Sequence, residues 1–405
     1  MNIKFQRAVD HWAGMPICWI LSLLERVRLV FFGQASVAQP KRILIVLLSE
    51  MGSLVLAQPM FADLRKRYPD ASLHILMFAK NREVLDLLGV MPPENVITIR
   101  DKSLGGFVAD TLRAILAMRR IGFDVVIDCE LFSRVSAIFS YLSGAAIHVG
   151  FQPHTQEGLY RGSFINRPVL YNPYRHLSQQ FLTMVAAIAS DSRPTAKAQA
   201  AELSAPPLLK FNEGELKQIE SVLHADFPVL PNKKLVLVYP GGGILPIRAW
   251  PAENYKQLCV TLLNDGYVVA VIGLREDKPL AQEVVAHCNH PNCIDLTGYT
   301  KSVRHLLAIF HRASLLITND GGPGQFAALT PLQTMVFFGP ETPALYSPLA
   351  PNIHCLYSAL SCSPCLTAYN HRNSPCDGDN QCLKQIGTEQ VLAKARELLQ
   401  TEHRA

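Results

Sequence analysis

The 405-residue chain has little charge, only a small excess of one sign, and few long apolar runs. Charged residues make up 18% and hydrophobic residues 49%, which excludes a disordered chain and describes a packed globular protein. The formal charge of +5 comes from scattered Lys and Arg without aromatic interleaving, so no nucleic-acid partner is expected. It suits an anionic partner or an acidic membrane surface. Cysteine is sparse as well. Of the ten, six (Cys18, Cys129, Cys259, Cys288, Cys293, Cys355) stand singly in apolar segments and read as core thiols of a reducing, cytoplasmic compartment. The apolar stretch MPICWILSLL at 15–24 falls short of the roughly 20 residues that a spanning helix needs.

That stretch lies in a separate N-terminal segment, 1–39, with Lys4, Arg7, Arg26 and Arg28 around it. A secretory signal shares the basic start, and ASVA at 35–38 resembles a cleavage site, but the charged ERVR interrupts the apolar run. The pattern predicts an amphipathic helix that lies on the inner membrane face or packs on the protein itself.

What the chain has in quantity is alternation. At this length two domains are the default. From Lys41, short β-rich runs alternate with helical patterns, the mark of parallel sheets flanked by helices. Strands are expected at 42–49, 72–78, 95–100, 124–130 and 147–151, with helices near 54–67, 81–88, 106–120 and 133–143. After an irregular passage, a helix near 176–190 and a Pro/Ala-rich linker, strands recur at 235–240, 267–274, 293–298, 315–320 and 332–339. Helices fall between these at 253–264, 277–287, 302–313 and 322–329. The expected organisation is therefore α/β. An N-terminal Rossmann-like domain spans 40–205 and a C-terminal one 206–387, both doubly wound in the GT-B manner with a cleft between them. A closing helix, 388–405, is expected to pack back on the first domain.

Ligands of such sheets bind at the carboxyl ends of the strands. YPGGGILPIRAWP at 239–251 offers three glycines (Gly241, Gly242, Gly243) whose amides can approach an anion, with Arg248 as a cationic fork for a diphosphate. It has neither the Lys-Ser/Thr of a P-loop nor GxGxxG spacing, and alone reads equally as a turn. TNDGGPGQFAAL at 318–329 places Asp320 at a strand end, then Gly321 and Gly322 at a helix start, which suits a sugar hydroxyl on the Asp and a phosphate on free amides. Asp320 as a plain helix cap is the competing reading. Glu276, at the start of a helix after the second strand of that domain, could take ribose hydroxyls or merely complement the helix dipole.

These segments, with ILIVLLSEMGSLVLAQP at 43–59 and FFGPETPALYSPL at 337–349, resemble glycosyltransferase family 9, the ADP-heptose:lipopolysaccharide heptosyltransferases and their relatives, over about 41–400. The resemblance implies metal-independent, inverting transfer of a heptose-like sugar from a nucleotide diphosphate, ADP-heptose above all, to a lipopolysaccharide core or related glycan. No cofactor and a monomer, cytoplasmic and peripheral to the inner membrane, are expected. It assigns Arg248 to the donor phosphates, Asp320, Gly321 and Gly322 to the donor sugar and phosphates, and Glu276 to the ribose. The chain departs from the family in two places. Ser53 stands where many members carry the Asp taken as general base, and Gln325 replaces a His.

Glu50 is the acid left in that first loop, and is therefore expected to serve as the base with Ser53 as a hydrogen-bonding group; Asp128 and Glu130 are reserves. Arg134, His154, Arg161, Arg175 and His176 could meet an anionic acceptor, although each alone reads as a solvated surface residue. Two alternatives remain: a nucleotide-sugar 2-epimerase and a catalytically silent glycan-binding protein. Finally, Cys362, Cys365, Cys376 and Cys382, spaced C-x2-C-x10-C-x5-C with His371 as a spare ligand, fit a structural zinc site, disulfides or plain thiols.

Overall fold

A computed structural model describes residues 3–33, 37, 39–48, 50–101, 103–131, 133–152, 160–190, 201–368, 373–374 and 376–401. His154 and His371 lie outside them. The chain divides into two compact units, Met1–Leu203 and Ser204–Ala405, close to the expected boundary.

The first unit opens with helices α1 (Ile3–Trp12) and α2 (Gly14–Phe32). There follow β1 (Arg42–Val46), α3 (Met51–Leu56), α4 (Gln58–Arg67), β2 (Ser72–Phe78), α5 (Arg82–Leu88), β3 (Val96–Ile99), α6 (Leu104–Ile121), β4 (Val125–Asp128), α7 (Arg134–Ser143), β5 (Ile147–Phe151), β6 (Arg167–Val169) and α8 (Leu177–Ala187). The strands form one parallel sheet in the order β3-β2-β1-β4-β5-β6. Strand β6 came out of the irregular passage, where Arg167, Pro168 and Val169 are too few to show a period.

The second unit runs α9 (Glu213–Asp226), β7 (Leu235–Tyr239), α10 (Ala252–Asn264), β8 (Val268–Val271), α11 (Lys278–Cys288), β9 (Cys293–Asp295), α12 (Val303–Phe310), β10 (Leu315–Asn319), α13 (Gly322–Ala327), β11 (Thr334–Phe338), α14 (Pro343–Tyr346), β12 (Ile353–Tyr357), α15 (Gln381–Lys384) and α16 (Thr388–Thr401). Its sheet, β12-β11-β10-β7-β8-β9, repeats the first order in sequence terms. Both sheets are fully parallel, so helices cover both faces and the strands read as unbroken apolar runs. Helix α9 and edge strand β12 are additions to the expected elements. Helix α16 corrects an expectation: Val391, Ala395, Leu398 and Leu399 lie at helical spacing and join the core of the second unit with Leu258, Leu262 and Phe337.

In each sheet the order reverses once, between β1 and β4 and between β7 and β10. There the two neighbouring crossovers leave in opposite directions and the loops at the strand ends part, opening a crevice. The loop carrying Glu50 and the end of β4 at Asp128 flank the first reversal, and the loops carrying Gly241–Gly243 and Asp320 flank the second.

The first core holds one titratable group with a readable consequence. His148 on β5 is buried edge-on to Tyr141 and Phe164, and burial pushes its pKa from 6.5 down to about 4. The folded state resists a proton that the unfolded chain accepts, so its contribution is complete above about pH 6.5 and is lost as pH falls toward 4. About 3 kcal/mol is at stake. Urea unfolding across that window should show wild-type stability falling more steeply with acid than that of His148→Phe; parallel curves would remove His148 as the cause.

Candidate active site

The loop after β7 is closed by its own packing. A Cβ on Gly242 would lie 2.8 Å from the carbonyl oxygen of Leu245, and one on Gly241 2.9 Å from the Tyr239 hydroxyl and 3.0 Å from Asp277. Gly243 has φ +60°, a region that glycine enters without strain. Backbone packing therefore demands glycine at 242 and a positive φ favours it at 243, and the amides of this loop line a tight turn beside Tyr239. Burial, with Asp277 nearby, pushes that phenol up to about 12, so it stays protonated as a donor.

Asn319, the last residue of β10, fastens this loop. Its Nδ2 donates to the carbonyl oxygens of Gly241 (2.9 Å) and Tyr239 (3.3 Å). Its Oδ1 accepts from the Trp250 amide (2.9 Å) and the Tyr255 hydroxyl (3.2 Å). Trp250 is fully buried and donates its indole N–H to the Ile386 carbonyl at 2.9 Å. Sequence reasoning did not single out Asn319, Trp250 or Tyr239; the apolar context of Trp250 was the available signal.

Between these anchors lies Arg248, mostly buried, with Nη1 3.7 Å from Asp320 Oδ2 and Nη2 3.5 Å from Glu341 Oε2. Both distances exceed the range of about 2.7–3.2 Å in which N–H···O bonds are good. The guanidinium is held by charge without being spent on either carboxylate, and its Nε has no hydrogen-bond partner among the described residues. Asp320 is not a helix cap: Gly321 occupies that position and no side-chain cap bond forms. Glu341, buried in the loop after β11, was missed although GPETPALY was among the segments carrying the resemblance.

Helix α13 spans six residues, so its dipole is small, and a Cβ added at Gly324 would lie 3.2 Å from a Val336 methyl, a tight fit. Gln325 donates to the Tyr346 carbonyl at 2.7 Å and has a structural partner where the family carries His. Glu276 is exposed; its neighbour Asp277 caps the turn by accepting the Leu274 amide at 2.8 Å.

In the first unit Glu50 precedes α3, exposed, with φ +64° and ψ 105°. A non-glycine residue there carries strain of about 1–3 kcal/mol, which the surrounding structure must hold. Ser53 donates its amide to the Glu50 carbonyl at 3.1 Å.

The reserve acids have other work. Asp128 is buried against Arg161 and accepts from Ser136 Oγ at 3.0 Å, and burial pushes its carboxyl up. Glu130 accepts the Leu48 amide at 2.7 Å. The expected acceptor cations are corrected likewise. Arg161 is 0% exposed and Arg134 1%, because each answers a carboxylate: Asp128 for Arg161, and Asp10 of α1, 3.3 Å away, for Arg134. His176 is buried as the cap of α8, its Nδ1 accepting the Ser178 amide. Arg175 alone of the described group is exposed. As for the C-terminal cysteines, no disulfide joins them, and no group of three or more His, Cys, Asp or Glu among the described residues is arranged to hold a metal.

Two parallel units, with glycine-rich loops and an Arg at the reversal of the second, match a sequence family over most of the chain. The model of Glycosyltransferase family 9 (heptosyltransferase) covers residues 111–374. The chain belongs to that family. The enzyme is therefore a glycosyltransferase, and the 2-epimerase and silent-binder alternatives give way. Lipopolysaccharide heptosyltransferase 2 of Salmonella typhimurium is 23% identical over 89% of this chain and 99% of its own length. Lipopolysaccharide heptosyltransferase 3 of Escherichia coli is 21% identical over 86% and 95%. Among solved structures, E. coli ADP-heptose lps heptosyltransferase II superposes with a TM-score of 0.69 at 20% identity, covering 89% of this chain and 99% of that one. E. coli heptosyltransferase WaaC with ADP gives 0.61 at 15%, over 88% and 99%. These structures bear out the expected GT-B fold.

Proposed function

We propose that this glycosyltransferase moves a heptose from ADP-heptose to a lipopolysaccharide core acceptor, with inversion and without a catalytic metal, at the cytoplasmic face of the inner membrane. The observation that carries the reading is Arg248, a guanidinium kept 3.5–3.7 Å from two buried carboxylates at the reversal of the second sheet. A diphosphate takes the guanidinium fork and the amides of Gly241–Gly243, Gly321 and Gly322, while Asp320 and Glu341 accept sugar hydroxyls. Glu276 remains the residue proposed for the ribose.

In the transfer, the acceptor oxygen bonds to the anomeric carbon as the carbon–phosphate oxygen bond breaks. Glu50 takes the acceptor proton, and the nucleoside diphosphate leaves with the bond electrons. Ser53 orients the acceptor hydroxyl. Relatives named as lipopolysaccharide heptosyltransferases support the donor and acceptor.

The test incubates the full chain with ADP-heptose and deacylated core oligosaccharide, reading product mass and anomeric configuration. Addition of one heptose with inverted configuration, undiminished by chelator, is expected. No product, or retained configuration, overturns the proposal.

A further inference from the structure

Helix α2 is amphipathic in the wrong sense for a soluble protein. Its inward face carries Gly14, Cys18, Ser22 and Glu25, while its outward face exposes Trp19, Ile20, Leu23, Val27, Val30 and Phe31. A surface helix of a globular domain turns its apolar stripe to the core.

The inward residues are fastened. Gly14 lies so near Arg134 that a Cβ there would come within 2.8 Å of it, and Ser22 Oγ accepts the Ser163 amide at 2.8 Å. Cys18 packs on Ala137 of α7, and Asp10 of α1 accepts the Arg134 and Val135 amides, both at 2.9 Å. The helix is thus pinned with its apolar side outward.

Helix α6 does the same nearby. Leu104, Val108, Leu112 and Leu116, four residues apart on one stripe, are all at least half exposed. Since β3→α6→β4 and β4→α7→β5 run the same way across the sheet, right-handed crossovers put α6 and α7 on one face. Helices α2 and α6 both pack against α7, so both lie on that side of the unit with their apolar residues exposed.

Charge selects the occupant. The acids of these helices turn inward to cations: Asp10 to Arg134, Glu25 to Arg28, and Asp110 to Arg100 and Arg113. Arg26, Arg113 and Arg120 reach solvent. The face is apolar with a cationic fringe, so two copies of it would oppose like charges, whereas an anionic bilayer complements it. No described helix is long and apolar enough to cross a membrane.

We propose that the outward faces of α2 and α6 together form a docking surface for an anionic lipid bilayer, with Trp19 and Phe31 set into the headgroup boundary. This rests on the membrane-surface part of the function proposed above and names the surface that meets it.

Flotation of the full chain with phosphatidylglycerol-containing vesicles, and with pure phosphatidylcholine vesicles, tests it. The chain should float with the anionic vesicles, less so at high salt, with the emission of its tryptophans shifted to the blue. Leu23→Glu and Leu112→Glu, both at exposed positions, should each lower the bound-to-free ratio, and together by about tenfold or more. Thermal melting confirms that both variants fold. Transfer to deacylated, water-soluble acceptor should be unchanged in them, which separates this surface from the chemistry. If wild type stays in the aqueous fraction, if the variants float equally, or if sedimentation shows a dimer that the variants dissociate, the surface is not a membrane dock. Vesicle binding by a chain that transfers no heptose would uphold the surface and overturn the function.

Discussion

Glu50→Gln lowers the turnover of sugar transfer by about a hundredfold or more while leaving donor affinity within a factor of about two. The two readouts separate because the residues proposed for the donor belong to the second unit, and Glu50 lies at the sheet reversal of the first. The substitution preserves shape and hydrogen-bonding reach and removes only the capacity to accept a proton. The backbone sharpens the test. At φ +64° and ψ 105° Glu50 is strained, and Glu50→Gly relieves that strain. The glycine variant should therefore melt no lower than wild type although it gains chain entropy on unfolding, and should be as inactive as the glutamine variant. Such a pairing of inactivity with undiminished stability marks strain held for function. Near-normal turnover in Glu50→Gln would remove it as the base.

Arg248→Ala weakens donor binding by about a hundredfold and destabilises the second unit by about 3 kcal/mol. The binding loss follows from removing the planar fork proposed for the diphosphate. The stability loss has a different origin: Asp320 and Glu341 stay buried with the cation between them gone. Adding Asp320→Asn and Glu341→Gln to Arg248→Ala should recover much of the stability and none of the affinity, separating charge balance from recognition. Arg248→Lys keeps the charge without the fork and should fall between. Isothermal titration with ADP and urea unfolding read the two quantities; unchanged ADP affinity in Arg248→Ala would refute the phosphate role.

The periodic elements were legible because a buried parallel strand must be apolar along its whole length. RILIV, SLHILMF, LVLVY and TMVFF announce themselves without any partner. Strand β6 and helix α9 were hidden for opposite reasons, the one too short for periodicity and the other, EGELKQIESVLHAD, with only Leu223 fully buried. Of the candidate site, Arg248 and Asp320 were singled out because glycines and a strand end surround them. Glu341 was not, since an acid between two prolines reads as solvated loop until it is found buried beside a guanidinium. Arg134 and Arg161 misled in the reverse direction: a cation at a helix start or in an irregular passage looks exposed, and its carboxylate partner lies 124 positions away for Arg134 and 33 for Arg161.

The order of residues by itself determined the α/β class, the two-unit architecture and the loops that leave the strands, because each follows from local periodicity and from glycine, proline and charge at short range. Tertiary structure alone decided which charges are paired, which face of α2 looks outward, and where α16 is buried. Those outcomes depend on side chains distant in sequence meeting in space, where the cost of leaving a buried charge unanswered outweighs any local preference.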